Sequence, residues 1–164
     1  MNVSDSARRF IVMGLSLFVI LGLIVASIMG SKQDKEFQAN DELFGLMAQQ
    51  LQDGNYSEAL SAGELLAENQ KSSEKVNYFT ALAAMNAEEI DKALVHMQRA
   101  LDINPHNVEN SMFMLQYAEM LIGAEQKVEA SQVLERCEVL PVPEVYPEYK
   151  EHVLHLQEQL ATQM

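Results

Sequence analysis

Ala93-Leu94-Val95-His96-Met97-Gln98-Arg99-Ala100-Leu101-Asp102-Ile103-Asn104-Pro105 is the stretch that decides the fold. Its two alanines stand seven residues apart and a proline follows the second by five. Small side chains let helices approach closely, and a proline that lacks an N–H cannot continue the helix, so the chain has to turn there. The segment is preceded by Glu89-Ile90-Asp91-Lys92, and the same pattern recurs on both sides. Upstream stands Gly54-Asn55-Tyr56-Ser57-Glu58-Ala59-Leu60; downstream stands Gln126-Lys127-Val128-Glu129-Ala130 followed by Leu134, Cys137 and Leu140-Pro141. The anchoring alanines Ala59, Ala93 and Ala130 are 34 and 37 residues apart. A fixed period of this size marks stacked units that cannot bury their apolar faces alone.

Residues 40–141 resemble three tetratricopeptide repeats, spanning about 40–73, 74–110 and 111–141, and the middle one matches best. Ala81 takes the small position of its first helix; Ala93, Ala100 and Pro105 take those of its second. Ala84 and Met97 replace the family's aromatic positions, Lys71 stands where proline is common in the first repeat, and three extra residues separate the second and third repeats. The resemblance implies an all-α solenoid of about three helix pairs.

Composition agrees with helices. The 164 residues are 48% hydrophobic and 21% charged, with 7 Gly and 4 Pro, too apolar for disorder and too poor in turn residues for an all-β chain. Net charge is -13, which would repel a phosphate backbone, so no nucleic acid is expected as partner. One cysteine excludes an internal disulfide.

Phe10 to Met29 is a run of 20 residues without a charge, its only polar side chains being Ser16 and Ser27. At about 1.5 Å per residue it covers roughly 30 Å, the thickness of the hydrocarbon layer. Its 13 Leu, Ile, Val and Phe residues contribute on the order of -4 to -8 kcal/mol to insertion. A cleaved signal peptide is the rival, but its apolar stretch is usually about 7 to 15 residues long. We therefore expect a tail over 1–9, a transmembrane helix over 10–30 and a polar linker over 31–39. Arg8 and Arg9 before the span balance Lys32 and Lys35 after it; the free amino terminus tips the orientation toward a cytoplasmic tail with the repeats outside, periplasmic in a bacterium. Gly14, Gly22, Ala26 and Gly30 share one face of the span, a small-residue ladder through which a second helix, including another copy of the chain, could pack.

After Pro141-Val142-Pro143, the segment 142–164 predicts a capping helix with Pro147 at its first position and Tyr149, Val153, Leu156 and Leu160 along one stripe. His152 and His155 lie three apart on it, but no further ligand completes a metal set, so both are expected to be solvated. Cys137 is expected to be a buried thiol. No phosphate loop, HExxH or nucleophile elbow appears, so the chain is expected to be neither an enzyme nor a cofactor protein.

The resemblance also says which residues face the groove lined by the first helices. Carried over, these are Phe44, Ala48, Leu51 and Gln52; Lys75, Tyr78, Leu82, Met85 and Asn86; and Met112, Leu115, Glu119 and Ile122. Phe44 and Ala48 stand where a clamp for a C-terminal carboxylate would need Lys and Asn, which disfavours such a clamp. Most of the list is apolar, and large exposed apolar surfaces mark interaction sites unless the chain covers them itself. Residues 31–164 hold 9 Lys and Arg against 23 Asp and Glu, so a basic amphipathic helix suits the groove. The expectation is a membrane-anchored binding module, an adaptor or an assembly and secretion chaperone; the alternative is a permanent structural subunit of a membrane complex. The layout is similar to bacterial anchored repeat proteins serving secretion, cytochrome c maturation or envelope assembly.

Overall fold

The computed structural model describes residue 35 and residues 37–70 and 72–163. The expected span over 10–30, its small-residue face Gly14, Gly22, Ala26 and Gly30, and the tail over 1–9 lie outside the described residues. Among the described residues no helix is long and apolar enough to cross a membrane. The chain divides into a unit ending at Glu42 and a unit of residues 43–164.

The described residues form helices and no strands. Helix α1 covers residues 37–52, so residues 37–39, expected as linker, are helical instead. It is followed by α2 (Tyr56–Asn69), α3 (Glu74–Asn86), α4 (Ile90–Ile103), a 3-10 turn (Pro105–Glu109), α5 (Ser111–Gly123), α6 (Lys127–Val139) and α7 (Tyr149–Gln163).

Local chemistry sets these boundaries. Ser73 Oγ accepts from the Val76 N–H at 3.3 Å to cap α3, and Asn110 Oδ1 accepts from the Phe113 N–H at 3.1 Å to cap α5. Within each pair the turn is made by one residue in the left-handed region: Gly54 (φ 77°), Glu88 (φ 63°) and Glu125 (φ 59°). Pro105 closes α4 and opens the 3-10 turn, where its missing N–H and fixed φ fit. The final helix begins at Tyr149, two residues beyond Pro147. Its first turn reaches back to the preceding helix end: Lys150 Nζ donates to the carbonyls of Cys137 (3.3 Å), Glu138 and Leu140 (2.8 Å), and Tyr149 Oη donates to Cys137 O (3.1 Å). A cation on the bare carbonyls of a helix C-terminus satisfies them and complements the dipole, which is what fixes α7 onto α6.

The core runs through the stack. Ala81, Ala93 and Ala100 are wholly buried, as the close approach of neighbouring helices requires, and Ala84 and Met97 fill the expected aromatic positions without leaving either exposed. Phe113, Leu66, Leu134 and Met120 supply the bulk, each adding about 1.5–3 kcal/mol by burial. Tyr149, Val153, Leu156 and Leu160 are buried as one stripe, and Cys137 is buried beneath α7.

Candidate functional site

The first helices of successive pairs, α1, α3, α5 and then α7, stand side by side, and the contacts between them build one continuous face. Phe44 of α1 meets Phe79 of α3 edge to face with ring centroids 5.4 Å apart. Lys75 Nζ sits 4.6 Å from the centroid of the Phe44 ring, close enough for a cation–π contact. Tyr78 packs edge-on against Phe79 at 5.6 Å and stacks on Phe113 of α5 at 5.4 Å. Its hydroxyl donates to Gln116 Oε1 at 2.6 Å. Burial pushes the Tyr78 hydroxyl above its usual pKa, so it stays a donor at neutral pH.

Farther along, Glu119 of α5 points at α7: its Oε1 lies 3.4 Å from His152 Nε2. The other ring nitrogen of His152 is 2.9 Å from Tyr146 Oη in the 141–148 connection. Burial raises the Glu119 carboxyl above the usual range, and His152 opposes that shift. His152, expected to be solvated, is half-buried because Glu119 and Tyr146 close on both its nitrogens; His155 is exposed, with Gln159 Nε2 2.9 Å from its Nε2.

Of the expected groove residues, Phe44, Leu51, Tyr78, Leu82, Met85, Met112, Glu119 and Ile122 are half-buried, and Lys75 is exposed beside them. Leu115 is different: only 2% of it is exposed, and it belongs to the core. It stands 37 residues after Tyr78, one repeat later, but a leucine stops within the helix layer where the longer tyrosine reaches out. Sequence reasoning missed Phe79, Phe113, Gln116, Tyr146 and His152 in this network. The aromatic pairing of Phe79 and Phe113 with Tyr78 had a signal in their ring chemistry; the Glu119–His152–Tyr146 set had none, since α7 had to be placed first.

Among the described residues, no group of three His, Cys, Asp or Glu could hold a metal ion. The face presents aromatic and aliphatic walls, a cation at Lys75, amides at Gln116 and Asn86, and one acid–imidazole pair.

No family model matches the chain, and no curated protein matches it. Solved structures do. The TPR2B domain of yeast Sti1, in its complex with pHsp70, superimposes with a TM-score of 0.62 at 12% identity, over 76% of this chain and 98% of that one. The type III secretion chaperone SycD of Yersinia enterocolitica, in complex with a peptide of the translocator YopD, gives 0.60 at 19% identity over 75% and 92% of the two chains. The first TPR of Spaghetti (RPAP3), bound to the HSP90 peptide SRMEEVD, gives 0.62 at 15% identity over 76% and 94%. These neighbours are a chaperone and peptide-binding modules rather than enzymes. With helix pairs repeating at the spacing of Ala59, Ala93 and Ala130, a proline-closed middle repeat and these structural relatives, the chain has the tetratricopeptide-repeat fold.

Proposed function

We propose that the chain is a membrane-anchored binding module that holds a protein segment on its α1–α3–α5–α7 face, acting as an adaptor or as an assembly and secretion chaperone. The observation that carries this is the run of half-buried apolar side chains from Phe44 through Tyr78, Leu82 and Met85 to Met112 and Ile122, which no part of the described chain covers fully. Such a surface is costly to leave bare and is of the kind that seats an amphipathic helix or an extended apolar peptide. That SycD and the RPAP3 domain were solved with peptides supports a protein or peptide partner.

Charge narrows the partner. Residues 31–164 carry 23 acidic and 9 basic side chains, and three of the basic ones, Lys92, Arg136 and Lys150, are engaged by Glu64, the Val108 carbonyl and the end of α6. The acidic excess steers a basic amphipathic helix toward the face and discourages acidic competitors. The apolar run Phe10 to Met29 supplies the anchor in this reading, with the repeats on the periplasmic side of a bacterial inner membrane.

The test is fluorescence anisotropy on the full chain in detergent with a basic amphipathic peptide and an acidic peptide of the same apolar pattern. The basic peptide should bind more tightly, and Met112→Glu and Leu82→Glu should each weaken it at least tenfold. Equal binding of both peptides, or binding indifferent to these substitutions, would remove the face from the proposal. Crosslinking from a photoreactive side chain at position 75 in native membranes then separates the two roles: exchanging clients fit an adaptor or chaperone, and one stoichiometric adduct fits a permanent subunit.

A further inference from the structure

Between α2, α3 and α4 lies a crevice of about 650 Å³ lined by Glu64, Ala67, Glu68, Asn77, His96 and Arg99, none of them among the residues of the peptide-binding face. Its size falls within the range of small-molecule sites, about 300–1,000 Å³. Its floor is built from two buried polar side chains, Asn77 at 1% exposure and His96 at 7%.

The hydrogen bonds of that floor fix the imidazole. Asn77 Nδ2 donates to Ser73 O at 2.9 Å, which leaves Oδ1 as the acceptor 3.1 Å from His96 Nδ1. Nδ1 therefore carries the proton. Burial first, and the Arg99 cation second, hold His96 below its ordinary pKa, so the ring is neutral and Nε2 keeps its lone pair. Nε2 has no partner among the described residues, and no buried side-chain nitrogen or oxygen among them lacks one, so Nε2 is accessible and opens into the crevice that His96 lines.

The walls are charged and only partly matched. Lys92 Nζ pairs with Glu64 Oε1 at 3.0 Å. One helical turn farther along α2, Glu68 has no ion pair or hydrogen bond among the described residues, and neither has Arg99 on α4. The crevice thus presents a neutral acceptor below, and on its two walls a carboxylate and a guanidinium that no described residue pairs. A simple anion would match Arg99 but be repelled by the acidic domain and by Glu68; a simple cation would match Glu68 and leave Arg99 unmatched. A ligand with both charges matches every group.

We propose that this crevice binds a small zwitterion of the α-amino-acid or short-peptide class, with its ammonium between Glu68 and His96 Nε2 and its carboxylate on Arg99. The site is separate from the peptide-binding face, and neither depends on the other.

The test is a titration of the full chain in detergent micelles, labelled with ¹⁵N-histidine, read through the ring nitrogens of His96 at constant pH. The probes are glycylglycine, its N-acetylated form and its C-terminal amide. Glycylglycine should shift His96 Nε2 saturably with a Kd on the order of 1 mM, while the exposed His106 and His155 stay still. Each capped form should bind at least tenfold more weakly, as should glycylglycine to Glu68→Gln and to Arg99→Gln, exposed positions whose helicity is checked by circular dichroism. Absence of a saturable shift would overturn the proposal and leave a water-filled crevice. Equal shifts with the amide would make the site a cation site and overturn it too, as would indifference to Arg99→Gln.

Discussion

Tyr78 Oη stands 2.6 Å from Gln116 Oε1, so a hydroxyl on the second helix pair donates to an amide on the third, across 38 residues of sequence. The same ring stacks on Phe113, which makes Tyr78 both a wall of the proposed binding face and a tie between repeats. Tyr78→Phe keeps the rings and removes one hydrogen bond, leaving Gln116 to water; it should cost about 1 kcal/mol in urea denaturation. Tyr78→Ala removes the stack as well and should cost about 3 kcal/mol or more. A loss for Tyr78→Phe as large as that for Tyr78→Ala would mean that the hydrogen bond, and not the aromatic packing, joins the repeats.

Gly63 is where α2 comes closest to its neighbours. A Cβ built on it would lie 2.5 Å from Thr80 Oγ1 and 3.0 Å from Met47 Sδ. Met47 can bend away, but Thr80 is held by its own bond to Val76 O at 2.7 Å and is wholly buried. Gly63→Ala should therefore destabilise by about 1–3 kcal/mol, although alanine is the better helix former. A double variant with Thr80→Ser, which removes the Thr80 methyl group 3.0 Å from that Cβ, should recover part of the loss in thermal melts.

The helix pairs were legible because their signals are local and periodic. Ala81, Ala93, Ala100 and Pro105 act through side-chain size and a missing N–H, and the structure uses each as expected. The same holds for the stripe Tyr149, Val153, Leu156 and Leu160. What stayed hidden depends on side-chain reach and on distant partners. Leu115 occupies the register of Tyr78 yet ends in the core, since periodicity gives direction but not length. His152 reads as a surface residue until Glu119, 33 positions earlier, is seen beside it. The crevice floor was equally invisible, because Asn77 and His96 meet only when α3 and α4 close.

Glu88 and Glu125 hold the left-handed conformation that Gly54 adopts at the matching turn of the first pair. A residue with a Cβ pays about 1–2 kcal/mol there, and glycine returns part of that gain as chain entropy. Glu88→Gly and Glu125→Gly should each stabilise by about 0.5–1 kcal/mol, and Gly54→Ala should destabilise. Chemical denaturation of the three variants checks both signs; a loss of stability in Glu88→Gly would show that this side chain contributes something beyond the turn.

His96 and Glu119 should give the pH dependence of stability opposite slopes. His96 is held below its ordinary pKa by burial and Arg99, so between its folded pKa and its unfolded value near 6.5 the unfolded chain binds more protons. Its contribution is complete above the unfolded pKa and is lost as pH falls through the folded one. Glu119 is raised by burial, so the folded chain binds its proton more readily; its contribution is complete below the unfolded pKa and is lost as pH rises through the folded one. Between pH 7.5 and 5.5, wild type should lose stability relative to His96→Gln, at no more than about 1.4 kcal/mol per pH unit. Glu119→Gln should remove a cost present at neutral pH, so its advantage over wild type should shrink as pH falls toward the range where the buried carboxyl takes up its proton. Urea denaturation of the three proteins across this interval isolates each group, because every other titrating side chain is common to all of them. Parallel curves for wild type and His96→Gln would mean that the imidazole is already free to charge in the folded state, and that the floor of the crevice is more open than its 7% exposure indicates.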